Sequence, residues 1–164
     1  LLLTVNILMA NSITVGMPLR GSISVGEISS FQIPNIGKCH FSTIYGKPLI
    51  DAVETEREQE WSGCIVDKKC FDYIESKFGF EQKNEITKGL SDSGIICSYT
   101  VPLKNSKTQQ SFVINWVLSK SKNDSSLVKD AFVRHDRVLS ENDESKINNT
   151  INFFNYSKSI LNKG

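Results

Sequence analysis

The sequence predicts a mixed α/β chain folded as an α+β sandwich. Three observations predict it. Runs with apolar residues at every second position interleave with runs of helical spacing, as where residues 19–28 precede residues 48–58. The 164 residues suffice for one domain with a real core, 1–164, and are too few for two comfortable ones. No repeat or low-complexity tract interrupts that order.

The opening run, LLLTVNILMANS, reads as a helix over 1–11. It is far too short to span a bilayer, has no basic residue ahead of it and lacks a small-x-small cleavage site, so a buried helix end is expected. Gly16 and Pro18 make a turn before a strand over 19–28. Along that strand Ile23 and Val25 share one face, while Ser22, Ser24 and Gly26 line the other, with Gly21 just ahead. Glycine weakens a strand unless another backbone or a ligand comes close, so something is expected to approach this face. A nucleotide, a partner's helix or a helix of the same chain would each fit.

SSFQIPNIGKCHFSTI reads as a loop or loose hairpin, broken at Pro34 and Gly37. YGKPLIDAVETEREQEW follows, with Pro48 in the first turn of a helix, where its missing N–H costs nothing. Leu49, Ala52 and Val53 form its expected apolar stripe, and Glu54, Glu56, Arg57, Glu58 and Glu60 lie mainly off it. GCIVD is a short buried strand. KKCFDYIESKFGF is a helix with Phe71, Ile74 and Phe78 on one side and Gly79 as its stop. After a polar stretch, SGIICSYTVPLK and QQSFVINWVLSK are strands joined by the turn KNSKT. Two helices close the chain as a C-terminal helical extension, 120–164. Their expected faces are Leu127, Val128, Ala131, Phe132 and Val138, then Ile147, Ile151, Phe154 and Leu161. Trp61 and Trp116 are expected in the core or at an interface rather than as base-stacking platforms.

Charge and motifs narrow the function classes. Nineteen basic residues nearly balance 18 acidic ones, which gives no overall electrostatic case for nucleic acid or an anionic membrane. The four cysteines, Cys39, Cys64, Cys70 and Cys97, form no CxxC pair, and neither His40 nor His135 stands at ligand spacing to them. Reduced structural thiols in a cytoplasmic protein are expected, and no metal site within this chain. There is no GxxxxGK[ST] phosphate loop, GxSxG elbow or HExxH helix.

The order of certain pieces is then informative. RGSISVG (20–26) is followed by GKPLIDAVETE (46–56), WSGCIVD, VPLK (101–104) and Asn115-Trp116, with KINNTINFFNYSK near the end. This ordered set resembles class III nucleotidyl cyclases, and within them the pyrimidine cyclases of the bacterial Pycsar antiphage system. The resemblance implies a ferredoxin-like sheet with helices on one face. It implies cyclisation of a nucleoside triphosphate, UTP or CTP, to a 3′,5′-cyclic nucleotide second messenger. In that reaction the 3′-hydroxyl attacks the α-phosphate and pyrophosphate leaves. Two Mg2+ or Mn2+ ions, held by two aspartates, activate the nucleophile and neutralise developing charge. The site forms in a head-to-tail homodimer.

The family's metal aspartates lie on a strand and a hairpin ahead of the helix that leads into the RG strand. Nothing acidic precedes Glu27 here, so the resemblance implies either that the metal-binding segment lies upstream of Leu1 or that the fold is degenerate. The alternative to an enzyme is therefore a cyclase-homology module that binds nucleotide or dimerises. Purine cyclases carry Asn and, four residues on, Arg on the helix that matches 46–56. Ile50 and Glu54 occupy those positions and can perform neither task. Ile50, Asp51 and Glu54 are thus candidate substrate contacts by position. For Glu54 and Asp51 a base or sugar edge stands against a solvated helix acid. Arg20 fits two roles as well, a bidentate phosphate contact or an ion pair that pins the strand.

Overall fold

A computed structural model describes residues 1–36, 39–117, 124–135 and 138–161, with the side chains of 32–41, 141 and 142 outside that set. The elements are α1 (Leu2–Thr14), β1 (Gly21–Ile23), β2 (Ser29–Ile36), β3 (Cys39–Tyr45), α2 (Lys47–Glu58), β4 (Cys64–Val66), α3 (Lys68–Phe78), α4 (Phe80–Asp92), β5 (Ile96–Pro102), β6 (Thr108–Ile114), α5 (Ser126–Val133) and α6 (Glu141–Leu161). The mixed α and β class holds. A four-stranded sheet has the order β1-β4-β6-β5, and β2 and β3 form a separate antiparallel pair. β1 and β4 run parallel, joined by a crossover that contains α2, whereas β6 is antiparallel to both β4 and β5.

Successive apolar residues on β6 give the sheet two hydrophobic faces, since neighbours on a strand point opposite ways. Phe112 meets Phe71 of α3, with ring centroids 4.9 Å apart. On the other face Tyr99 meets Phe153 of α6 at 5.0 Å. Helices therefore cover both faces, where the resemblance implies one. Phe153 also packs edge-on against Trp61 at 4.7 Å and tilted against Trp116 at 5.6 Å. This ring cluster places both tryptophans in the core. It also makes α6 a layer of that core.

Several elements depart from expectation. The strand expected over 19–28 pairs only at Gly21–Ile23. Its partner β4 ends at Val66, because Asp67 caps α3 by accepting from the Lys69 N–H at 2.9 Å. Beyond Ile23 there is no strand left to pair with. The expected loose hairpin is a regular one, with Ser29 opposite Tyr45 and Ile33 opposite Phe41; Gly37 lies outside the described residues. The polar stretch after Gly79 is a helix, α4, which fully buries no residue and packs only the half-buried Leu90 against the core. Gly79 does stop α3, at φ 90°. Val138, expected on a buried face, is 92% exposed.

α1 is a helix as expected and buries Asn6, Met9, Ser12 and Ile13 along one side. Leu3, Ile7 and Leu8 on its other side are exposed. Among the described residues no helix is long and apolar enough to cross a membrane.

Candidate functional site

Helix α2 positions most of the candidate residues, and its orientation is the main surprise. Of the stripe expected inside only Ala52 is half-buried: Leu49 and Val53 are 42% and 46% exposed, and Ile50 beside them is 55% exposed. The helix instead buries Pro48 and Asp51, ending on the fully buried Gln59. Each inward polar group has a partner, which is what allows this rotation. Asp51 accepts from Lys47 and from Lys69 of α3, both at 2.5 Å. The Lys47 hydrogen bond, then that of Lys69, holds its carboxyl below the usual carboxylate range. Gln59 donates to the Gly21 carbonyl at 2.9 Å and accepts from Trp61 Nε1 at 3.0 Å.

The face of small residues is approached by the chain's own helix. A Cβ on Gly26 would stand 3.2 Å from Pro48, and one on Gly46 would stand 2.5 Å from the Glu27 carbonyl oxygen. Gly46 is thus needed where the hairpin returns into α2. Ser24 donates to Asp67 at 3.3 Å, and the Ser22 hydroxyl is buried with no described partner.

Arg20 takes the second of its two expected roles. Its Nε is ion-paired to Glu56 and its Nη1 donates to the Gln59 carbonyl at 2.8 Å, so the guanidinium pins β1 to α2. Asp51 is committed to its two lysines. Glu54, by contrast, is exposed and accepts no hydrogen bond from a described residue. Ile50 and Glu54 share the outer side of α2 and Arg20 lies on the far side, so the structure does not bring the three together.

Two clefts adjoin at Leu103, which lines both. One, of about 690 Å³, lies between the β5–β6 turn and α6 and carries Arg20, Lys104, Lys107 and Lys146 against the single acid Glu60. Lys146 also pairs with Asp143 at 3.4 Å. Asn105 and Ser106 both have positive φ, the geometry of a two-residue hairpin turn, and this sets Lys104 and Lys107 on either side of the turn. The second cleft, of about 760 Å³, has Val66, Phe71 and Phe112 in its floor and Glu54, Glu58 and Asp72 on its lips. Sequence reasoning missed both clefts. KNSK was legible as a turn; that α6 would bring Lys146 beside it was not.

Cys64, Cys70 and Cys97 are free thiols, and burial pushes Cys64 and Cys97 up to about 12. They are unreactive packing groups. The side chains of Cys39 and His40 lie outside the described residues. His135 is at the surface, 3.1 Å from the Val15 carbonyl. Among the described residues no three His, Cys, Asp or Glu side chains gather as a metal site. Comparison with family models, curated proteins and solved structures finds no match to this chain.

Proposed function

We propose that the chain is the nucleotide-gripping and dimer-forming part of a pyrimidine nucleotidyl cyclase in bacterial antiphage defence, acting in the cytoplasm on UTP or CTP. The observation that carries this reading is the outward face of α2. Leu49, Ile50 and Val53 of α2 are exposed, as are Phe31 and Tyr45 on one face of the adjoining hairpin, their rings 5.9 Å apart, and Ile44 on its other face. An isolated two-stranded hairpin is marginal in water, and large apolar side chains left exposed on it and on the helix that follows favour an association surface. A second copy of the chain, packed head to tail, is its proposed partner.

Other features agree. The parallel β1–α2–β4 unit follows the order of motifs on which the cyclase resemblance rests. The adjoining clefts also match the two halves of a nucleoside triphosphate. Lys104, Lys107 and Lys146 offer cations to a polyanion, and the apolar floor beyond Leu103 suits a planar base. The implied Mg2+ or Mn2+ ions do not fit the described residues, and their ligands belong elsewhere in the assembly. Ile50 and Glu54, in place of Asn and Arg, favour a second reading, a cyclase-homology module that binds nucleotide without turning it over.

The test is to incubate the gene's full product with each of the four nucleoside triphosphates and either metal, and to measure cyclic nucleotide and pyrophosphate. Cyclic UMP or cyclic CMP with equimolar pyrophosphate, lost in Val53→Asp, supports the enzyme. Nucleotide binding without product supports the second reading.

A further inference from the structure

The acid-lipped cleft joins an apolar floor to a carboxylate edge. Its floor is apolar, and the rings of Phe71 and Phe112 lie 4.9 Å apart within it. Its volume of about 760 Å³ is that of a small-molecule site. Glu54 and Glu58 stand one helical turn apart on α2, so both carboxylates overhang the same side of the opening. Neither accepts a hydrogen bond from a described residue. Of the donors that line the cleft, Lys83 is held by Glu75, Gln109 and Gln110 donate to Ser111 and Ser98, and Lys68 and Asn84 are exposed and lie on α3 and α4, away from the two glutamates of α2.

We propose that this cleft receives the base of the nucleotide and selects cytosine over uracil; the proposal rests on the nucleotide reading above. Either ring can lie on the apolar floor. The two differ at C4, where cytosine carries an amino donor and uracil a carbonyl acceptor. An ionised carboxylate accepts hydrogen bonds and donates none. Glu54 or Glu58 therefore forms a charge-assisted bond with the cytosine amino group, whereas the uracil carbonyl sets acceptor against acceptor. The difference is that of a paired against an unpaired polar group, about tenfold or more in affinity.

Isothermal titration of the full chain with cytidine and with uridine tests this without metal or turnover. Cytidine is expected to bind about tenfold tighter or better. Glu54→Gln combined with Glu58→Gln is expected to remove the preference, because an amide can donate to the uracil carbonyl. Lys68→Gln is expected to leave it. Both glutamates are exposed, and circular dichroism and a melting curve confirm that the variants fold. Equal affinity, binding of neither nucleoside, or a preference that survives the double glutamine variant overturns the proposal. A cytidine preference lost in that variant, with no cyclisation of CTP, leaves the base site standing and overturns the enzyme. Cyclisation with a preference that ignores both glutamates does the reverse.

Discussion

Gln59 donates to the carbonyl of Gly21 at 2.9 Å and so ties the end of α2 to the first strand of the sheet. Its amide oxygen accepts from Trp61 Nε1, and the side chain is fully buried. Gln59→Leu leaves the Trp61 donor without its partner in the core. Equilibrium urea unfolding is expected to show a loss of about 2–3 kcal/mol. A loss below half of one kcal/mol would mean that the pair contributes nothing.

Phe153 is the hub of the aromatic core, touching Trp61, Tyr99 and Trp116. Phe153→Ala removes a fully buried ring from a site where three others cannot collapse inward together. The expected cost is about 3–5 kcal/mol, read as a fall in the denaturant midpoint. A normal midpoint would show that α6 is not a layer of the core.

Arg20 and Glu56 form an ion pair whose side chains are 28% and 30% exposed. A double-mutant cycle with Arg20→Gln and Glu56→Gln is expected to return a coupling of about 1 kcal/mol in stability. Zero coupling, together with weakened pyrophosphate binding in Arg20→Gln, would restore a phosphate role for Arg20.

Asp51 makes stability depend on pH. Lys47 and Lys69 lower its carboxyl in the folded chain. A depressed carboxylate stabilises fully above its unfolded value of about 3.9, and that contribution is lost as pH falls through the lower folded value. The stability of Asp51→Asn relative to the parent is therefore expected to be constant above about pH 5, with the gap closing in more acid solution. A gap that widens in acid would reverse the sign assigned to this cluster.

How far the sequence can be read is clearest on α2. Pro48 at the first turn and the apolar spacing reveal the helix. They do not reveal which side turns inward, because Leu49 and Val53 satisfy a core or an interface equally well. The choice is made by partners distant in sequence, Lys69 for Asp51 and Gly21 for Gln59. α4 is hard to read for another reason: its apolar residues are few, Phe80, Ile86 and Leu90, and only Leu90 packs, half-buried, against the core. Trp61, Trp116 and the thiols were legible because large apolar groups have few alternatives to burial. Ile50 and Glu54 were singled out by resemblance, and Lys68 and Lys83, which share a cleft with Glu54, are brought there by folding alone.

The central claim is that the outer face of α2 and the hairpin form an interface between copies of this chain. Sedimentation equilibrium of the full chain and of Val53→Asp, with melting curves for both, tests it most directly. The account predicts a dimer at micromolar concentration for the parent, and a monomer with an unchanged melting temperature for Val53→Asp. A parent that stays monomeric, or a variant that dimerises as well as the parent, would contradict it.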